Sequence, residues 1–170
     1  MTKNEAAKLA PEFLYYNPKN GVLIWSKGRA DRIGKAAGYV DDSGYRKVSI
    51  KGFNFRAHRL CWLIHYGTEP DGEIDHINGI KDDNRIENLR EATRSQNCMN
   101  MKLRSDNASG FKGVYWREHA KRFTASVWKD GKRKSLGYFD TAEQAHEAYV
   151  QASACAHGEF ANTGVGNGNR

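Results

Sequence analysis

Ile74–Asn100, IDHINGIKDDNRIENLREATRSQNCMN, is the densest run of turn, charge and capping signals in the chain. It opens on Asp75 and His76 between Ile74 and Ile77, an extended segment with apolar neighbours. Asn78-Gly79 follows and reads as a tight hairpin turn, because both residues tolerate positive φ. Polar Lys81, Asp82, Asp83 and Asn84 break the apolar pattern, and a short turn brings Ile86 and Leu89 inward. Thr93 with Gln96 three residues on has capping-box spacing, so a helix is expected to start at Arg94 with Asn97 in its first turn. The stretch therefore predicts two short extended segments packed against a helix.

That geometry would bring the Asn97 amide back toward Asp75 and His76. A carboxylate and an amide oxygen are hard ligands suited to magnesium. A neutral imidazole beside them can take a proton from water near pH 7. Together they suit phosphodiester hydrolysis. Taken singly, an Asp-His pair is usually a surface pair and a helical Asn is usually a cap; it is the length of the ordered constellation that favours chemistry.

The run resembles the HNH nuclease motif, the ββα-metal fold of phage and intron-encoded homing endonucleases. The resemblance implies His76 as general base, Asp75 and Asn97 as ligands of one divalent cation, and Asn88 as the structural asparagine of the loop. Many relatives carry histidine at the last position; Asn97 there shifts the preference toward hard ions, Mg²⁺ or Mn²⁺.

Before the motif, residues 2–10 predict a short helix ended by Pro11. FLYYNPKNGVLIWSK from Phe13 predicts a hairpin, and residues 38–55 predict three antiparallel strands turning at Ser43-Gly44 and Lys51-Gly52. Arg46, Lys47, Lys51 and Arg56 would give that sheet a basic face, for DNA backbone or for solvent. Residues 57–66, AHRLCWLIHY, predict a helix stopped at Gly67. Its His58 and His65 lie two turns apart; His58 is read as a packing residue, with contact to the site as its alternative, and His65 as the weaker candidate.

After the motif, residues 102–110 read as a linker whose Lys102 and Arg104 could meet phosphates. Strands are then expected at 113–117, 122–129 and 132–139, with Asp130-Gly131 as a tight turn, followed by a helix capped by Asp140-Thr141. Ala142, Ala145, Ala148, Tyr149 and Ala152 give that helix a small face for packing on the sheet. Residues 102–134 hold ten Lys and Arg against three Asp and Glu, an excess equal to the +7 of the whole chain. A basic sheet backed by an acidic helix suits nucleic acid. The pieces GVYW, FTASVW, LGYFDTAEQAHEAY and HGEFAN resemble the plant ethylene-response-factor (Apetala-type) DNA-binding domain. That resemblance places Lys112, Tyr115, Arg117, Ser126, Trp128, Arg133 and Ser135 toward DNA. Four of these differ from the plant residues, so no base preference carries over, and Trp128 reads equally as packing within the hairpin.

The expected fold class is α+β. Residues 1–101 form a ββα-metal HNH nuclease domain preceded by antiparallel β-hairpins, and 102–110 a linker. Residues 111–163 form a three-stranded sheet plus helix DNA-binding domain, and 164–170 a disordered tail. The expected function is metal-dependent cleavage of double-stranded DNA, nicking or double-strand cutting, of homing type. The alternatives are a DNA-binding regulator with a decayed nuclease domain, and a host-killing or RNA-cutting nuclease. No membrane association and no small-molecule cofactor are expected, and a monomer is favoured over a dimer. Cys61, Cys98 and Cys155, without a Cys-x-x-Cys pattern, read as free thiols of a reducing cytoplasm, here a bacterial host's, in a phage or mobile-element protein.

Overall fold

The structure, a computed structural model, describes residues 1–103, 105–129 and 131–164. Expectations falling on Arg104, on Asp130 and on the tail beyond Gly164 lie outside the described residues. The fold is α+β, and the chain divides into two compact units, Met1–Arg94 and Ser95–Arg170.

The first unit opens with α1 (Lys3–Lys8), whose start is a capping box in which the Thr2 side chain accepts from the Glu5 N–H and Glu5 answers the Thr2 N–H. Pro11 does not end the helical run: α2 (Ala10–Phe13) carries it in its first turn, where a missing N–H leaves no helical bond unmade. β1 (Leu14–Asn17) and β2 (Val22–Trp25) form the expected hairpin. β3 (Tyr39–Val40), β4 (Arg46–Ile50) and β5 (Phe53–Arg56) form an antiparallel meander in that order. Lys51 and Gly52 at its second turn both take positive φ, 51° and 84°, as a primed turn requires. The basic face expected on this sheet is largely spent on internal pairs. Arg46 forks onto Asp82 at 2.8 and 2.9 Å, while Lys47 and Arg56 both meet Asp41, at 2.9 and 2.6 Å.

α3 (Ala57–Tyr66) buries Leu60, Cys61 and Leu63 and stops at Gly67 in the left-handed conformation. These residues, with Leu14, Leu23, Val48, Ile50, Ile74 and Leu89, make the core of the first unit. β6 (Glu73–His76) pairs antiparallel with β7 (Leu89–Ala92). The Asn78-Gly79 pair is not the turn between them. Gly79 takes its positive φ in a local turn closed on the His76 carbonyl, and a long loop with a 3₁₀ turn at Ile86–Asn88 runs on before β7 begins. The loop is long because Asn88 closes it instead: its Oδ1 accepts from the Asn78 N–H at 3.0 Å, and its amide donates to the Asp83 carbonyl at 2.7 Å.

α4 (Arg94–Asn100) begins where expected, at the border of the units. In the second unit β8 (Val114–Arg117), β9 (Arg122–Lys129) and β10 (Lys132–Phe139) form an antiparallel sheet with β9 central. α5 (Ala142–His157), capped by the Thr141 side chain, packs Ala145 and Tyr149 onto Val114, Ala125 and Val127. Ala142 and Ala152 flank that core; Ala148 stands outside it. Gly113 can only be glycine, since a Cβ there would meet the Tyr149 ring at 2.2 Å.

Candidate active site and nucleic-acid face

β6 ends on Asp75 and His76, both 4% exposed, because the strand lies over the core that Ile74 helps to fill. The antiparallel register sets Asp75 opposite Arg90. The Arg90 guanidinium donates twice to Asp75 Oδ2, from Nε at 2.9 Å and Nη2 at 2.8 Å. A buried carboxylate is thus oriented and charge-compensated by its cross-strand neighbour.

His76 is held through Nε2, 3.2 Å from Asn84 Oδ1. The Asn84 side chain is assigned by its second contact: its Nδ2 donates to the Asp82 carbonyl, so Oδ1 is the atom facing the ring. An amide oxygen only accepts, so Nε2 carries the proton and Nδ1 carries the lone pair of the neutral imidazole. Burial pushes the His76 pKa below its ordinary value, with the Asn84 bond and the Asp75 charge pulling the other way. The ring is therefore neutral at neutral pH.

The sequence alone assigns no role in this cluster to Tyr45, Asn84 or Arg90, and reads His58 first as packing. His58, at the start of α3, sets its ring edge-on to His76 with centroids 5.1 Å apart, and Tyr45 meets both rings at 5.5 and 6.0 Å. Burial first, then His76 and the neighbouring arginines, drives the His58 pKa down to about 3, so it too is neutral. His65, by contrast, packs against Tyr16 and Tyr66. Arg90 is discoverable only from register. Asp83 zips the loop, accepting twice from Arg85 at 2.8 Å and once from Asn78 at 2.7 Å; the Arg85 bonds above all hold its carboxyl down at about 2. Asn97 stands half-buried near the start of α4, a helix whose residues from Ser95 on belong to the second unit.

The donors suit a hydrated hard cation better than a closed zinc cage. One buried carboxylate is at hand, and among the described residues no group of three or more His, Cys, Asp or Glu is arranged to hold a metal. Mg²⁺ is commonly bound by one or two carboxylates, waters and substrate phosphate.

In the second unit, strand pairing puts Tyr115, Arg117, Ser126, Trp128, Arg133 and Ser135 on the sheet face away from α5. Arg122, Thr124 and Tyr138, which the sequence reading left unassigned, share that face; alternation along β9 alone would have found the first two. Trp128 is 53% exposed, so its indole is not packed into the hairpin. Arg133 lies 4.9 Å over the Tyr115 ring and donates to Ser126 Oγ at 2.8 Å. Lys112 lies apart from these: its ammonium donates to the Met99 and Met101 carbonyls at 2.7 and 2.6 Å, and burial lowers its pKa to about 8.

A family model described as HNH endonuclease matches residues 55–99, and one described as AP2 domain matches residues 109–159. An uncharacterized HNH endonuclease of Acanthamoeba polyphaga mimivirus is 34% identical over 131 residues, which are 76% of this chain and 67% of that protein. The chain belongs to the HNH endonuclease family. Protein 3.8 of Escherichia phage T7 is 33% identical to this HNH chain over 107 residues, 62% of this chain and 88% of the phage protein. The HNH homing endonuclease I-HmuI, solved in a study of DNA binding and cleavage, is 21% identical with a TM-score of 0.40, over 85% of this chain and 84% of that one. The protein is thus a nuclease-family member carrying an AP2-type DNA-binding domain, with phage and viral relatives. Among its described residues no helix is long and apolar enough to cross a membrane.

Proposed function

We propose that the protein is a divalent-metal-dependent endonuclease that hydrolyses phosphodiester bonds in double-stranded DNA, in the manner of a homing-type enzyme. Residues 1–101 would cut, 102–110 connect, and 111–163 hold the duplex. The observation that carries the reading is the buried His76, fixed through Nε2 by Asn84 beside the oriented Asp75 carboxylate.

His76 acts as general base. Neutral because it is buried, it takes the proton of the attacking water on Nδ1, while Nε2–H stays on Asn84. Asp75, kept in orientation by Arg90, and Asn97, assigned by its place in the motif, would hold one Mg²⁺ or Mn²⁺. When bound, that ion supplies charge stabilisation at the scissile phosphate and the departing 3′ oxygen. Asn88 keeps the loop closed beneath the base. Tyr115, Arg117, Ser126, Trp128, Arg133 and Ser135 present an exposed cationic and aromatic face for the duplex, with Lys112 bracing the segment before β8.

Supercoiled plasmid incubated with the protein and magnesium should convert to nicked or linear form, and chelator should stop the conversion. A protein that shifts plasmid mobility but never cuts it, with any of magnesium, manganese or cobalt, would be the DNA-binding regulator instead.

A further inference from the structure

The loop that orients His76 is clasped from far upstream, by the β1–β2 hairpin. Tyr16, 5% exposed, donates its phenolic proton to the Asn84 carbonyl at 2.7 Å. The Ile86 N–H donates to the Pro18 carbonyl at 3.2 Å. Gly21 (φ +74°) brings the hairpin turn so close that a Cβ would meet Arg85 N at 2.5 Å and the Asn84 carbonyl carbon at 2.6 Å. The hairpin therefore bears on residues 84–86 from three directions, and Asn84 is itself only 1% exposed. Its backbone is fixed by Tyr16 and its side-chain amide by the Asp82 carbonyl, which leaves Oδ1 one direction in which to point, toward His76 Nε2. Asp82 is in turn held by the Arg46 fork.

We infer that Tyr16 and Asn84 are positioning residues for the cleavage reaction: the N-terminal hairpin sets, through Asn84, which nitrogen of His76 bears the proton. The inference rests on the general-base reading of His76. It also makes the hairpin, which lies outside the stretch matched by the HNH family model, a working part of the nuclease. Tyr16 touches no reacting atom; it acts only through the loop. Removing the phenolic hydroxyl while keeping the ring frees the Asn84 backbone, so His76 samples the other tautomer and the wrong ring angle.

The test uses the full chain with Tyr16→Phe, Asn84→Ala, the double variant and His76→Ala. Two readouts are taken: the single-turnover rate and KM on duplex DNA with magnesium, and the ¹⁵N shifts of the His76 ring at a pH where it is neutral. Asn84→Ala should lower the rate about 10–100-fold, the usual effect of losing a partner that fixes a histidine's tautomer. Tyr16→Phe should lower it about three- to tenfold, as one neutral hydrogen bond allows. KM should not move for either. Wild-type His76 should show a protonated Nε2 and a pyridine-like Nδ1, and both variants should pull the two shifts toward each other. The double variant should be no slower than Asn84→Ala, since both changes act along one path. Unchanged shifts and rate in Tyr16→Phe, or a multiplicative loss in the double variant, would overturn the inference. Wild-type cleavage by His76→Ala would instead sink the general-base reading, while the shifts would still report whether the hairpin sets the tautomer.

Discussion

The two polar surfaces of this protein are built in opposite ways. Around β6 and its loop, Asp75, His76 and Asn84 are at most 4% exposed, and each is tied to a named partner. On the outer face of the β8–β9–β10 sheet, Trp128 is 53% and Tyr115 45% exposed, and only the small Thr124 and Ser126 at the centre are covered. Buried polar groups are costly unless satisfied, so the first arrangement holds one geometry. Long exposed side chains around small central ones can adjust to a partner, so the second suits contact with a surface that varies. The first suits chemistry that needs one geometry, and the second suits grip.

That contrast is broken most severely at Asp75. Asp75→Asn should abolish magnesium-dependent cleavage and remove saturable Mn²⁺ binding, measured by electron paramagnetic resonance, while leaving DNA affinity near wild type. Mn²⁺ binding unaltered by the change would take the carboxylate out of the metal site. Asp75→Ala is the harsher variant, because it removes the acceptor of two Arg90 hydrogen bonds, and losing one member of a buried pair costs about 3–5 kcal/mol.

The grip side is broken next. Arg117→Ala with Arg133→Ala should weaken DNA binding and lower the slope of log affinity against log salt by roughly 0.9 for each phosphate that is no longer neutralised. At saturating DNA the cleavage rate should stay close to wild type. A slope that does not change would mean that these arginines do not meet phosphates.

Much of the architecture can be read locally. Gly67 after the Leu60–Leu63 pattern gives the end of α3, and the segments on either side of Gly131 give β9 and β10. What escapes a local reading is whatever is decided by a partner far along the chain. Asn78-Gly79 reads as a hairpin turn because its backbone freedom is local, whereas the loop's true closure comes from Asn88, ten residues on. Arg46, Lys47 and Arg56 read as a basic face because their acidic partners, Asp41 and Asp82, reach them only in the folded unit. His58 reads as a packing residue because nothing in its helix announces the ring of His76. Asp75 and His76 are legible as a pair at a strand end; the groups that orient them, Arg90 and Asn84, follow from register and loop shape.

Acid should loosen the first unit early. His58 is held near pKa 3 when folded and returns to 6.5 when unfolded, so the unfolded chain takes up the proton first. The stability from keeping this ring neutral is complete above about pH 6.5 and is lost as pH falls toward 3. Between pH 6.5 and 5.5 the loss should be about 1 kcal/mol in urea midpoints, and His58→Phe should flatten that slope. An equal slope in the variant would assign the acid sensitivity to other groups.

The smallest effect is expected at His146, on α5. Both of its ring nitrogens are buried without a hydrogen-bond partner among the described residues, between Phe111 and Tyr149. His146→Leu should raise the stability of the second unit by about 1 kcal/mol, since it removes an uncompensated polar group. A drop in melting temperature would mean that the imidazole is satisfied in solution.

In the proposed mechanism a neutral, rigidly held His76 activates water, and the decisive experiment is single-turnover cleavage of duplex DNA by His76→Ala, with magnesium and with binding measured in parallel. The rate should fall about 10²–10⁴-fold at unchanged affinity. Cleavage at the wild-type rate would contradict the account.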